Sequence, residues 1–323
     1  MSVAEIEAIE VQTEGPSGLW GEAWYRLIRN PGAILGGFFV SVFVICAVFA
    51  PLIAPYGPDE QNLNLLNQGK PVGPTSGHWF GVDLLGRDEF SRIIYGARFS
   101  LLIGVVSVSI GLSIGLILGS IAGYIGGVAD TAIMRVMDVM LAIPGLLFAI
   151  GIVAMLGPGP AQVMIAVGVV NIPIFARLLR GSILAQREND FVLAARAVGV
   201  RRRAILFSHI IPNAISPAIV AGTLAMATAI IDVAGLGFLG LGPQDPSTPE
   251  WGTMLTDVNA YLNIAPFLAI IPGIAIVISV LGFNLIGDGL REALDPKLRG
   301  RVGRFKVRRR KDAKYVSGIS DPV

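Results

Sequence analysis

Long charge-free apolar runs, not alternation, dominate this chain. Residues 33–54 and 100–122 contain no Asp, Glu, Lys or Arg, and 264–286 repeats the pattern. The stretch 131–156 carries only Arg135 and Asp138, both near its start; 161–179 is apolar until Arg177; 211–239 is interrupted once, at Asp232. A helix rises 1.5 Å per residue and needs about 20 mostly apolar residues to cross roughly 30 Å of hydrocarbon. The pattern therefore predicts an all-α membrane protein with six transmembrane helices. The segment LGPGPA (156–161), with two prolines and two glycines, is the predicted turn between the third and fourth spans.

The basic residues orient these spans. Of the 25 Lys and Arg, only Lys70, Arg87, Arg92 and Arg98 fall in the segments that would face outwards if the N-terminus is cytoplasmic. Cytoplasmic loops collect the excess of Lys and Arg, so N and C termini are both expected in the cytoplasm. The expected division is a cytoplasmic tail (1–32), the first span (33–54), an external insert (55–97), a five-helix core (98–289) with a cytoplasmic loop at 181–211, and a basic cytoplasmic tail (290–323). Glu5, Glu7, Glu10 and Glu14 precede the first span, which is too long for the apolar part of a cleaved signal peptide, so an uncleaved anchor is expected.

Composition strengthens the membrane reading. Hydrophobic residues make up 53%, charged residues 15%, and mean hydropathy is +0.69. A soluble domain carries roughly 25% charged residues to wet its surface. One cysteine, Cys46 among Val, Ile and Phe, excludes a disulfide scaffold and reads as an inert thiol. The basic run 299–314 is expected to anchor on anionic lipid. A nucleic-acid role lacks the aromatic-rich or recognition-helix context it requires, so no nucleic-acid partner is expected.

Candidate chemistry is sparse. The Gly69-Lys70 pair is followed by Pro71 and lacks the phosphate-cradling pattern. His78 and His209 fall on opposite sides, so neither a zinc site nor a histidine-activated nucleophile is assembled. No catalytic, metal or cofactor residue is assigned. Arg135 and Asp138 are expected to pair with each other or with the cytoplasmic surface. Asp232, towards the outer end of the fifth span, is the one candidate for a translocation path. Gly111, Gly115, Gly119 and Gly123 repeat every four residues, the spacing that lets two helix backbones approach in lipid, and packing within the chain is preferred.

The informative segment is 187–212, RENDFVLAARAVGVRRRAILFSHIIP. Asp190 is the expected N-cap of a short helix from Phe191, and Gly199 its stop. Phe191, Ala194, Ala195 and Val198 fall on one face at i, i+3, i+4, i+7. A helix too short to span, with small residues on its apolar face, suits docking into another protein's groove. Arg196 lies in the same helix; Arg201, Arg202 and Arg203 suit acidic partners or lipid, and Pro212 is expected to restart a helix in its first turn.

This segment resembles the EAA loop of ATP-binding-cassette (ABC) importer permeases. Ala194, Ala195, Gly199 and Pro212 match their slots, while Leu193, His209 and Ile211 stand where the pattern has Glu, Ile and Leu. HWFGVDLLGRDEFSRIIYGAR (78–98), GFLGLG (237–242), TPEWGTML (248–255), FNLIGDGLREALDPKLRG (283–300) and LIRNPGAILG (27–36) are similar to C-type permeases of peptide importers. That group includes dipeptide, oligopeptide, glutathione and nickel members, and the likeness covers residues 20 to 300.

The resemblance implies a type I importer permease fold in a bacterial plasma membrane. It implies a heterodimer with a B-type permease, two cytoplasmic ATPase subunits that bind ATP and Mg, and an external substrate-binding protein. The ATPases would move the 190–203 segment as a lever and so switch access; Asp190, Phe191, Ala194, Ala195, Arg196, Gly199 and Pro212 are the expected coupling residues. The 55–97 insert would shape the entrance and the binding-protein dock. Within it, Asp83, Arg87, Asp88 and Arg92 read equally as part of that dock or as a solvated, self-paired helix surface. Peptides are the expected cargo, then glutathione or nickel chelates. The contrasting class is an ATP-independent channel or a membrane enzyme using six spans alone.

Overall fold

The computed structural model describes residues 19–256, 258 and 261–295. The basic tail segment 299–314 lies outside them. Ten helices carry the fold: α1 (Leu19–Leu27), α2 (Pro31–Ile53), α3 (Glu89–Ile125), α4 (Gly127–Leu141), α5 (Gly145–Leu156), α6 (Pro160–Arg187), α7 (Asp190–Ala197), α8 (Ser216–Phe238), α9 (Trp251–Thr256) and α10 (Phe267–Leu294). Among the described residues, α2, α3, α6, α8 and α10 are long and apolar enough to cross a membrane, and the bent pair α4–α5 reaches that length and apolarity only when its two helices are counted as one span.

Thus the third span is not one straight rod. It breaks by 93° between Leu141 and Gly145. Pro144 has no N–H for an i−4 carbonyl and disfavours the helical region for Ile143 before it, so the helix stops and restarts. The N-terminal tail also holds structure not expected from its sequence. Helix α1 packs along α10, and Asn30 then caps α2 by accepting from Ala33 N at 3.0 Å. The Asn30 amide donates to Glu292 at 2.6 Å, which joins the start of α2 to the end of α10.

Helices α2 and α10 lie at the periphery, whereas α6 and α8 are central. The main core gathers Ile103 of α3, Val153 of α5, Val167 and Phe175 of α6, and Val233 and Leu236 of α8. Helix α3 meets α6 along the glycine ladder. A Cβ on Gly111, Gly115, Gly119 or Gly123 would lie 2.7, 2.9, 2.5 or 3.0 Å from the carbonyl oxygen of Gly168, Ile172, Ala176 or Arg180. Four glycines at i+4 spacing thus face four carbonyls at i+4 spacing, and only hydrogen at Cα permits that backbone contact.

The two ends of the bundle differ. At the insert end, Asp88 caps α3: its Oδ2 accepts from Ser91 N and Oγ, both at 2.7 Å, and its Oδ1 meets His78 Nδ1 at 2.8 Å. Asp83 pairs with Arg87 at 2.6 Å and lies 3.6 Å from Arg92, whose guanidinium donates to Pro58 O and Pro246 O. Asp83, Arg87 and Arg92 pair among themselves, whereas Asp88 turns to His78 and Ser91, and all four are buried, not a solvated helix surface; Asp88 is 2% exposed. They pin the 55–88 insert to α3 and to the loop after α8.

The second knot at that end joins three sequence motifs. Trp251 is fully buried, donates Nε1–H to Ile93 O at 3.1 Å and packs edge-on to Phe43. Glu250 accepts from Gly252 N and Thr253 N, each at 2.9 Å, and from Ser100 Oγ at 3.3 Å, which ties α9 to α3. Burial pushes the Glu250 carboxyl up to about 7, against the three hydrogen bonds that favour its charged form.

Candidate functional site

The loop end carries the segment that sequence singles out. Helix α6 stops at Arg187, and α7 follows after Glu188 and Asn189. Asn189 is the N-cap, not Asp190, which is the first helical residue. The Asn189 side chain donates to Gln186 at 2.8 Å, so the Asp190 carboxylate is left as the charge facing the positive end of the short helix.

Helix α7 is held by one narrow stripe. Val192 is fully buried and Ala195 is 8% exposed. They pack with Leu179 and Ile183 of α6 and with Ile205, Ile210 and Ala214 ahead of α8. Its C-terminus is a Schellman clip: Val200 N donates to Ala195 O at 3.0 Å, and Gly199 N donates to Arg196 O at 3.0 Å. The clip needs Gly199 at φ +79°, in the left-handed region.

The outward face therefore differs from the expected one by a residue. Ala195 turns inward with Val192, because those two occupy the stripe that reaches the α6 hydrophobic patch. Phe191, Leu193, Ala194 and Val198 remain exposed, with Val198 at 79%. Phe207, two turns beyond the clip, is also exposed at 66%; nothing in the EAA-like spacing marks it. Arg196 borders a depression of about 370 Å³ formed with Leu184, Arg187, Glu188 and Leu193. The result is an apolar knob beside mixed charge, without a nucleophile and base in contact.

Pro212 lies in a short helical turn, Ile211–Ala214, that follows a π-helical turn, Ile205–Ile210. The fifth span itself begins at Ser216 with Pro217 in its first turn. Pro212 thus continues a distorted helical run, where the missing N–H is absorbed by the wider π turn.

Around the knob, cross-links tie the spanning helices together. Arg187 donates to Gly123 O at 2.9 Å, and Tyr124 Oη–H donates to Arg202 O at 2.6 Å. Arg180 of α6 holds Asp130 of α4 with its Nη2 at 2.7 Å. Asp138 pairs with Arg177 of α6, not with Arg135, which is exposed. The turn at Gly126 folds α4 back across α6, so both α4 carboxylates meet α6 arginines. Far from this surface, Asp232 of α8 is half-buried and makes no hydrogen bond or ion pair among the described residues.

Comparison with known proteins assigns this architecture. Residues 115–300 match the family described as "Binding-protein-dependent transport system inner membrane component", and residues 18–71 match the "N-terminal TM domain of oligopeptide transport permease C". The chain is 48% identical over 280 residues to the dipeptide transport system permease protein DppC of Alkalihalophilus pseudofirmus, covering 87% of this chain and 90% of that one. It is 50% identical over 285 residues to the glutathione transport system permease protein GsiD of Shigella flexneri serotype 5b, covering 87% and 91%. In fold it is similar to an inward-facing MetNI methionine ABC transporter structure, with TM-score 0.51 and 20% identity over 63% of this chain and 97% of that one. The fold is that of a type I ABC importer permease, multi-pass in a bacterial inner membrane. The chain belongs to the family of binding-protein-dependent transport system inner membrane components.

Proposed function

We propose that this chain is the C-type half of a permease heterodimer that imports short peptides, driven by two ATPase subunits docked on α7 and fed by an external binding protein. The N and C termini then lie in the cytoplasm, as the Lys and Arg distribution supports. ATP and Mg belong to the ATPase partners; this chain's part is mechanical. The single observation carrying the reading is that α7 offers Phe191, Leu193, Ala194 and Val198 to solvent while Val192 and Ala195 lock it to α6 and the approach to α8.

That construction makes a lever. A push on the exposed face moves Leu179, Ile183 and Ile205 with it, because they share one close-packed cluster, and packed interiors transmit strain. From α6 the displacement passes to α3 through backbone contact at the glycine ladder. ATP and the loaded binding protein shift the access equilibrium only through unequal affinity for its two states. Dipeptides and oligopeptides are our first choice of cargo, glutathione the second and nickel chelates the third; the similar permeases include both a dipeptide and a glutathione transporter subunit.

The test pairs crosslinking with uptake. A cysteine at Ala194, which is exposed on the knob, is expected to crosslink to a co-purified ATPase subunit in a functional complex. Reconstituted complex is expected to take up dipeptide only with ATP, and the purified chain alone to move nothing. Absence of a crosslink in a working complex, or ATP-independent flux through the isolated chain, refutes the coupling role.

A further inference from the structure

Helix α8 leaves one face uncovered. Its flanks pack on α3, α6, α9 and α10 and, more lightly, on α5, whose Leu146 lies 3.7 Å from a Cβ built on Gly235. The remaining strip carries Thr228, Ile231 and Asp232 at helical spacing, exposed or half-buried, and is bordered by Ala221 and Ala225, which pack partly against the main core, and by Gly235. Thr228 and Asp232 lie one turn apart on it. Thr228 bonds only its own helix, donating to Ala225 O at 3.0 Å. Asp232 bonds nothing among the described residues.

This strip does not suit lipid. Asp232 lies six residues from the helix end at Phe238, which places it about 9 Å along the axis from the insert end of α8 and within the apolar span. Ionisable groups at such depth face a bundle interior or a water-filled cavity, because hydrocarbon offers the charge no partner. The contrast with α2 is direct: that helix is exposed along Ile34, Phe38, Val42 and Ile45 and carries no charged residue. Elsewhere in the spans, Asp130 and Asp138 have arginine partners on α6. Asp232 has an open face, a neighbouring hydroxyl and small residues on either side.

We propose that Thr228 and Asp232 line the aqueous path between this chain and the second permease subunit, and that the Asp232 carboxylate receives the α-ammonium group of a peptide in transit. The inference rests on the peptide-importer reading above and deepens it. The chemical class is a primary ammonium ion with an adjacent amide or carboxylate, which dipeptides and glutathione share. One carboxylate with no arginine beside it and no enclosing aromatic wall holds an ammonium weakly. That weakness suits a group the cargo must leave.

The experiment uses the complete complex in proteoliposomes, with dipeptide as the probe. Asp232→Asn is expected to keep subunit assembly and binding-protein-stimulated ATP hydrolysis within about twofold, while uptake per ATP falls roughly tenfold, the scale of one partly solvated charge contact. Asp232→Glu is expected to retain most uptake. D232C in a C46A background gives the charge-specific readout: a sulfonate-bearing methanethiosulfonate restores uptake, and an ammonium-bearing one does not. Wild-type uptake by Asp232→Asn, equal effects of the two thiol reagents, or loss of the second permease from the Asp232→Asn complex would each overturn the proposal. Failure of the wild-type complex to import peptide would instead remove the underlying functional reading.

Discussion

Replacing Gly199 with alanine isolates the Schellman clip from everything else in α7. A Cβ at that position has no neighbour within 4 Å, so steric overlap contributes nothing. What remains is the left-handed backbone, φ +79°, which costs an L-residue about 1–2 kcal/mol. Lower chain entropy in the unfolded state offsets roughly 0.4–1 kcal/mol of this. The net loss is about 1 kcal/mol, which corresponds to about fivefold more frequent opening of the clip. Hydrogen exchange of the amides at Val198, Gly199 and Val200 in the detergent-solubilised complex reads that opening directly. ATP-coupled uptake should fall with it, while the melting temperature barely moves. Gly181→Ala is the matched control. Gly181 is exposed within α6, has no neighbour within 4 Å and lacks a positive φ, so alanine there should stabilise by about 0.5–1 kcal/mol. Unchanged exchange at 198–200 in Gly199→Ala would show that the left-handed turn does not hold the knob, and the lever argument would lose its stop.

Three further expectations follow from the same geometry. Gly119→Val forces a branched side chain into a gap where even Cβ lies 2.5 Å from Ala176 O; α3 and α6 must separate, and melting in detergent should drop by an amount equivalent to about 1–3 kcal/mol or more. Phe191→Ala removes half-exposed apolar area from the knob, so ATPase co-elution should weaken by roughly tenfold with no change in melting temperature. Glu250 is held protonated by burial, with a folded value of about 7 against 4.5 unfolded, so its contribution to stability is full below pH 4.5, declines between 4.5 and 7, and is then constant. Glu250→Gln is neutral throughout, so its melting temperature relative to wild type should rise between pH 4.5 and 7.5, by the equivalent of about 3 kcal/mol at most; a pH-independent gap would mean the carboxylate stays charged inside the knot.

How much of this was legible depended on whether composition or local geometry decided each feature. Charge-poor runs located the five straight candidate spans and the bent pair, because hydrocarbon admits little else. Pro144 was visible inside 131–156, yet the apolar run after Asp138 outweighed it, and the bend went unforeseen. The start of α3 lies eleven residues before the apolar run at Ser100, where Asp88 and Ser91 form a cap that hydropathy does not register. In α7, both stripes of an eight-residue helix are apolar, so only tertiary packing decides that Val192 and Ala195 go inward while Leu193 and Ala194 stay out. Asp138 has an arginine three residues away in sequence, but the Gly126 turn delivers a closer one from α6. The glycine ladder was readable as a close-contact face, though its partner carbonyls on α6 were not.

Helix α3 runs 37 residues without a break, about 55 Å by its rise, nearly twice the hydrocarbon it must cross. One end bears the cap and charge cluster that gather the insert; the other accepts Arg187 beneath the knob. A stiff pole of that length is a geometric amplifier. Pivoted near one tip, a tilt of about 5° sweeps the opposite tip through about 5 Å, roughly the pitch of one helical turn. News of an event on one side of the bilayer can therefore arrive on the other as a displacement large enough to open or shut a doorway, with no side chain along the way changing its neighbours.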